Sequence, residues 1–329
     1  MHNARPSHLY KYKNFSVDSL DLLVSDKLYF ADPSTFNDPL DCKPSVINNI
    51  DDIAGLEDIF YRLFVAAHKK ELNDAAKKIK YNGPKTLERI SKLGDMEATK
   101  LIGRIAENHD FFGDSIEKSL LIYIEKYLLQ GYDNGVLSLA ENFDCPLMWS
   151  HYADQHRGFC FGYDIAKTST GKIQPINYYR QRTITTQQIL DMLDGKENAK
   201  KEIDDAVLLS KAKPWKYEKE WRYIHTQGLH DSNLNLTDVT FGLRFKESAK
   251  YAVMQALSQR PYPVKFYEMK TIHGEFTLER TEVHEQDFVR YPDCNQYYVN
   301  SLEDVRNDYN DNDDDPFNEP EPFNPKDTY

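Results

Sequence analysis

The hydrophobic pattern of this chain changes period twice, and that constrains its fold more than any single motif does. From about Asp51 to Asp133 the apolar residues recur at helical spacing. Ile53, Leu56, Phe60, Leu63, Phe64 and Ala67 share one face. Leu87, Ile90, Leu101 and Ile105 mark a second helix, and Ile116, Leu120, Ile124 and Leu128 a third. The turn signal Tyr81-Asn82-Gly83-Pro84 separates the first two. On either side of this block the pattern alternates. Residues 8–13 and 27–31 predict strands around a helix at 15–24. Residues 136–140, 158–163, 173–179, 221–226, 239–245, 264–269 and 276–281 predict further strands. Short helices are expected near 147–154, 185–210 and 247–258. Irregularly spaced strands that outnumber helices predict an α+β fold with a mixed sheet, not a doubly wound parallel one. The expected organisation is a β-α-β part over 1–50, a helical insertion over 51–133, a β-rich remainder over 134–306 and an acidic tail over 307–329.

Charge qualifies this plan. The 329 residues carry 41 Lys+Arg and 53 Asp+Glu, a formal net charge of −12. The tail from Asn307 holds eight carboxylates and one Lys, so it supplies most of that excess. The mildly acidic body argues against nonspecific nucleic-acid binding through a global basic stripe, while a local basic groove stays open. The tail is also rich in Asn and Pro, a composition that predicts disorder. Its Tyr309, Phe317, Phe323 and Tyr329 allow a second role, autoinhibition of a basic aromatic groove. No apolar run is long enough to span a bilayer, and Met1 to Pro6 lack the apolar core of a signal peptide. Cys42, Cys145, Cys160 and Cys294 form no CxxC pair, so no structural zinc is expected, and the compartment reads as reducing and cytoplasmic.

Three segments concentrate chemistry. In Lys213-Pro214-Trp215-Lys216-Tyr217-Glu218-Lys219-Glu220-Trp221-Arg222-Tyr223, an extended backbone would put Glu218, Glu220 and Arg222 on one strand face. Paired carboxylates beside an Arg suit acid/base, metal or ribose-hydroxyl chemistry, and equally a solvated salt-bridge ladder. Residues 145–158 gather Trp149, His151, Tyr152, Asp154, His156 and Arg157 before Gly158. They read as an aromatic and imidazole wall for a flat polar ligand, or as a core Trp with surface histidines. In residues 29–41, Asp32-Pro33 and Asn37-Asp38-Pro39 are turn signals that can also place Asn37 or Asp38 at a ligand-lined strand end. GxGxxG, Walker A, HExxH and GxSxG are absent, which argues against a Rossmann dehydrogenase, a P-loop NTPase, a zincin and an α/β-hydrolase.

In order, the chain carries LYKYKNF at 9–15, LYFADPSTFNDPLD at 28–41 and LMWSHYADQHRGFCFGYD at 147–164. KPWKYEKEWRY at 213–223 and DVTFGLRF at 238–245 follow. This series resembles the bacterial domain of unknown function 2971 family across residues 9 to about 281. Lys13 stands where that family tends to carry Arg, which keeps the charge and loses bidentate geometry. At fold level the order is also similar to ADP-ribosyltransferases, whose sheet is split.

That second resemblance implies cleavage of the nicotinamide–ribose bond of NAD, with NAD as substrate, no metal, and an acceptor that is protein or nucleic acid. It implies Glu220, then Glu218, at the ribose, with Arg222 and His151 as further catalytic candidates. Lys11 or Lys13, with Arg222 as a rival, would clamp pyrophosphate, and Tyr12, Trp149 or Tyr152 would stack on nicotinamide near Phe36 and Asn37. A bacterial toxin or phage-defence effector is the implied role. Two alternatives stay open. A metal-dependent nuclease would use Asp38 or Asp41 with Glu218 and Glu220. A non-catalytic module would bind a nucleotide in the aromatic pocket.

Overall fold

The computed structural model describes residues 5–78, 86–108, 115–166 and 173–288. The expected turn at 81–84, Cys294 and the acidic tail lie outside them. The chain opens with β1 (His8–Lys13), α1 (Val17–Val24) and β2 (Lys27–Phe30). Ser16 caps α1, its hydroxyl accepting from Ser19 N while Ser19 Oγ accepts from Ser16 N, a reciprocal capping box. A loop then leads through β3 (Ser45–Ile47) to three helices, α2 (Ile53–Lys78), α3 (Thr86–Asn108) and α4 (Ile116–Gln130). The second half supplies β4 (Asn134–Ala140), α5 (Pro146–Tyr152), β5 (Phe159–Asp164), β6 (Ile173–Pro175), β7 (Thr183–Thr185), α6 (Thr186–Leu193) and α7 (Ala199–Leu208). It ends with β8 (Glu220–Thr226), β9 (Gly228–Asp231), β10 (Asn235–Phe241), α8 (Glu247–Leu257), β11 (Lys265–Thr271) and β12 (Leu278–Glu282).

The fold is α+β with a mixed main sheet, as expected. Its strand order is β12-β11-β10-β5-β1-β4-β8-β6, and β10 with β11 is its parallel pair. Leu9, Leu139, Phe161, Trp221, Tyr223 and Val239 bury one face of the sheet against Leu23 of α1 and Val253 and Met254 of α8. The opposite face carries two clusters. Leu56, Phe60, Leu120, Ile124, Ile189 and Ile203 pack on Val136. Tyr12, Met148, Trp149 and Cys160 form the other.

The joint between β1 and β4 decides where a site can form. β1 pairs with β5 along its whole length, and β4 pairs with β8 from Asn134↔Thr226 to Ala140↔Glu220. Yet β1 meets β4 at Tyr10↔Ala140 alone. Beyond that point the sheet parts. A carbonyl in the gap still needs a donor, and the Lys11 ammonium supplies it, 2.8 Å from Ser138 O.

Several expected boundaries move for local reasons. The strand at 239–245 lies instead at Asn235–Phe241. The chain turns at Gly242, and Phe245 N bonds Gly242 O so that the Phe245 ring folds back onto the core. The strand at 173–179 stops at Pro175. Beyond it, Asn177 Oδ1 accepts from Tyr179 N and Arg180 N, a side-chain turn. The helix at 185–210 is two helices, parted by left-handed Gly195 and Asn198. No helix among the described residues is long and apolar enough to cross a membrane. Cys42, Cys145 and Cys160 are free thiols.

Two glycines give opposite tests of this packing. A Cβ on Gly158 would stand 2.1 Å from the Lys13 carbonyl oxygen, whereas one on Gly103, within α3, meets nothing within 4 Å. Gly158→Ala is expected to cost about 2 kcal/mol or more in urea unfolding. Gly103→Ala is expected to gain about 0.5–1 kcal/mol. A neutral Gly158→Ala would contradict the close approach of β1 to the start of β5.

Candidate functional site in the opening of the sheet

The gap between β1 and β4 is a cavity of about 250 Å³. Tyr10, Lys11 and Tyr12 line it from β1, and Ser138, Leu139 and Ala140 from β4. Phe36, Asn37 and Asp41 come from the loop after β2, Met148 and Tyr152 from α5, and Lys211, Glu218 and Glu220 close it.

Turn chemistry brings the loop into place. Asp32 Oδ1 accepts from Ser34 N, and Asp38 Oδ1 accepts from Leu40 N. Asp38 Oδ2 also accepts from Trp215 Nε1 at 2.7 Å. Both Asp-Pro signals are therefore turns, and Asp38 is spent on holding the loop. They deliver Asp41 to the buried guanidinium of Arg222, whose Nη2 donates to Asp41 Oδ1 at 2.9 Å and Oδ2 at 2.7 Å. Arg222 Nε donates to Glu220 Oε1 at 2.8 Å, and Nη1 donates to Leu208 O and to Cys42 Sγ.

The segment expected as one strand over 213–223 is built differently. Pro214 opens a 3-10 turn over Lys213–Glu218, and Lys219 takes a left-handed conformation before β8 begins at Glu220. Glu218 therefore does not lie on the strand face with Glu220 and Arg222. It reaches them around the corner, because Lys211 collects both carboxylates. Lys211 Nζ stands 2.5 Å from Glu218 Oε2, 2.8 Å from Glu220 Oε2 and 3.7 Å from Asp41 Oδ2. The remaining Glu218 oxygen accepts from the Tyr152 hydroxyl at 2.7 Å.

Burial sharpens these charges in opposite directions. For Glu220 the desolvation that would raise its pKa is overcome by Arg222 and Lys211, which hold it well below the carboxylate range. For Glu218 desolvation wins over Lys211, and the pKa is raised. Lys211 is raised in turn, since Glu220, Glu218 and Asp41 outweigh its burial. Lys11 has no carboxylate in contact. Burial, and then the charge of Lys13, lower its pKa to about 7 against the attraction of Glu220 and Glu218. At the cavity three carboxylates thus face two firmly held cations and one amine that titrates near neutrality.

Of the residues the sequence nominates, Lys11, Tyr12, Phe36, Asn37, Tyr152, Glu218 and Glu220 line this one cavity. Four others do not. Arg222 lies wholly buried behind Glu220, so it positions and does not touch a ligand. Trp149 is also fully buried. Its indole donates to Phe143 O, and its ring packs on Tyr12 and His156. Within 145–158, Trp149 and Ala153 are core, Met148 and Tyr152 reach the cavity, and His151, Asp154 and Arg157 are exposed, so the segment forms no continuous ligand wall. His151 is exposed and absent from the lining, its ring edge-on to that of Tyr152. Lys13 is absent from the lining, and its carboxylate neighbour is Asp18. The His-x-Gly motif serves a turn in which Asp154, Gln155 and His156 are all left-handed and Gly158 abuts Lys13.

Lys211 is the residue that sequence reasoning missed. It lies in a loop after α7, with no local pattern to mark it. Its ammonium sits where the carboxylates of a metal site would hold their cation, which weighs against the nuclease alternative.

A family model described as "Protein of unknown function (DUF2971)" matches residues 148–223. The resemblance read from the sequence is supported over that segment, which contains Tyr152, Lys211, Glu218, Glu220 and Arg222. No curated protein and no solved structure matches the chain, so similarity to ADP-ribosyltransferases has no finding behind it.

The Lys11 amine supplies a test. The folded protein gives up its proton near pH 7, the unfolded chain only near 10.5. Burying Lys11 therefore costs stability below pH 7, and the cost is relieved as pH rises between those values. Acetylation by a small anhydride, followed by peptide mass spectrometry, should modify Lys11 with a midpoint near pH 7. The same reaction at Lys92, whose side chain is 72% exposed, is the comparison. Identical profiles would contradict the assigned environment.

Proposed function

We propose that the cavity binds the nicotinamide–ribose end of NAD and cleaves the bond between them, transferring ADP-ribose to an acceptor. The observation that carries this reading is the unequal pairing of two adjacent carboxylates, Glu220 bonded to both Arg222 and Lys211 and Glu218 to Lys211 and the Tyr152 hydroxyl. Environments that push neighbouring titratable groups apart assign them different roles. Glu220, held ionised, would stabilise positive charge as the ribose C1′ becomes an oxocarbenium-like centre. Glu218, whose pKa is raised, is suited to take the proton of the attacking hydroxyl. In that step the C1′–N bond breaks and its electron pair leaves with nicotinamide. The acceptor oxygen bonds C1′, and its proton passes to Glu218.

The remaining lining fits the same ligand. Tyr10, Tyr12, Phe36 and Tyr152 offer aromatic surface to nicotinamide. At about 250 Å³ the cavity falls just below the range of roughly 300–1,000 Å³ for whole drug-sized ligands. It would hold one end of the dinucleotide, with the adenosine half at the mouth. Lys11 would take up a proton as a phosphate approaches.

The test is release of free nicotinamide from NAD by the purified full chain, with cell extract as a source of acceptors. Wild type should release it, and Glu218→Gln should lower the rate about 100-fold or more. Lys13→Ala, outside the cavity, should leave the rate within about twofold. Absence of release from wild type would count against the reading, as would full activity in Glu218→Gln.

A further inference from the structure

A second surface adjoins the cavity and is not used by the chemistry above. Lys213, Arg180, Arg182 and the ring of Tyr179 border a depression of about 200 Å³ that shares Asp41 and Lys211 with the main cavity. Tyr179 is 68% exposed although two ammonium groups flank it. Lys216 Nζ lies 5.3 Å from its ring centre and donates to its hydroxyl at 2.8 Å, and Lys213 Nζ lies 5.9 Å from the ring. Lys43 adds a further exposed cation, its carbonyl accepting from Arg182 Nη1.

These cations are poorly neutralised. Arg180 stands 3.7 Å from Asp205. Among the described residues Lys43, Arg182, Lys213 and Lys216 have no carboxylate within 4.0 Å. The nearby Asp38 and Asp41 are held by Trp215 and Arg222. In a chain of net charge −12 such a cluster is a local reversal of sign. It combines unpaired cations with an exposed aromatic ring, the pairing that tracks a phosphate backbone and stacks a base. The cations ride on two loops and a 3-10 turn, so no helix or β-ribbon is offered to a duplex groove.

We propose that the surface of Lys43, Tyr179, Arg180, Arg182, Lys213 and Lys216 binds single-stranded nucleic acid and leads it past the mouth of the cavity. The binding stands apart from the cleavage reaction, and its test contains no NAD. Fluorescence anisotropy would follow the full chain titrated into a labelled single strand of about 12 nucleotides, within the usual site sizes. With about four phosphates neutralised, affinity should fall roughly 50-fold between about 50 and 200 mM salt. Tyr179→Ala should weaken binding about tenfold. Arg182→Ala and Lys213→Ala should each weaken it and flatten the salt slope by about 0.7. All three side chains are exposed, and circular dichroism would verify that the variants stay folded. Three results would overturn the proposal: no binding by wild type, binding unchanged in all three variants, or equal competition by polyglutamate, which would make the patch a general anion surface.

Discussion

The buried guanidinium of Arg222 is the interaction on which the rest of the site depends. Burying an ion costs several kcal/mol unless its donors are satisfied. Here the Asp41 and Glu220 carboxylates, the Leu208 carbonyl and the Cys42 sulfur accept from it. Those partners come from the loop after β2, the end of α7 and β8. One side chain thereby ties three separate stretches of chain at the edge of the opening between β1 and β4. Phe36 lies over the guanidinium, with its ring centre 5.3 Å away, so the same ion helps seat an aromatic wall of the cavity.

Lys211 extends the network but does not complete its neutrality. Arg222 and Lys211 together oppose Asp41, Glu218 and Glu220, which leaves one negative charge unmatched beside the cavity. Two consequences follow. Contact with both cations holds the Glu220 pKa down, whereas Glu218 touches Lys211 but not Arg222, and burial raises its pKa. Lys11, the third cation, is free of direct pairing and able to respond to what enters. A pocket arranged this way offers fixed negative charge, a proton acceptor and a switchable amine within one aromatic enclosure. Those properties are the ones that the proposed glycosidic cleavage would use.

Much of the fold was legible because period and turn chemistry are local. Residues 8–13 alternate and form β1 over those same residues. The contrast of Trp221 and Tyr223 with Glu220 and Arg222 survives in β8, apolar rings in the core and charges on the other face. The two Asp-Pro turns were equally plain. What was not legible depends on partners distant in sequence. Glu218 met Glu220 through a left-handed Lys219 and the reach of Lys211, neither of which alternation can express. Trp149 and His156 had the composition of a ligand wall, but burial against Tyr12 made Trp149 core, and His156 stacks on that ring. The short strands β3 and β7 pair only with each other, from opposite halves of the chain, so no local signal announced them.

The central claim is that the opening between β1 and β4 is a ligand site whose carboxylates face ribose. A crystal structure of the full chain with a carbocyclic NAD analogue, whose bond to nicotinamide cannot break, addresses it directly. The account predicts the nicotinamide ring among Tyr10, Tyr12, Phe36 and Tyr152, with a hydroxyl of the carbocycle hydrogen-bonded to Glu218 or Glu220. An analogue bound elsewhere, with water alone filling the opening, would contradict it.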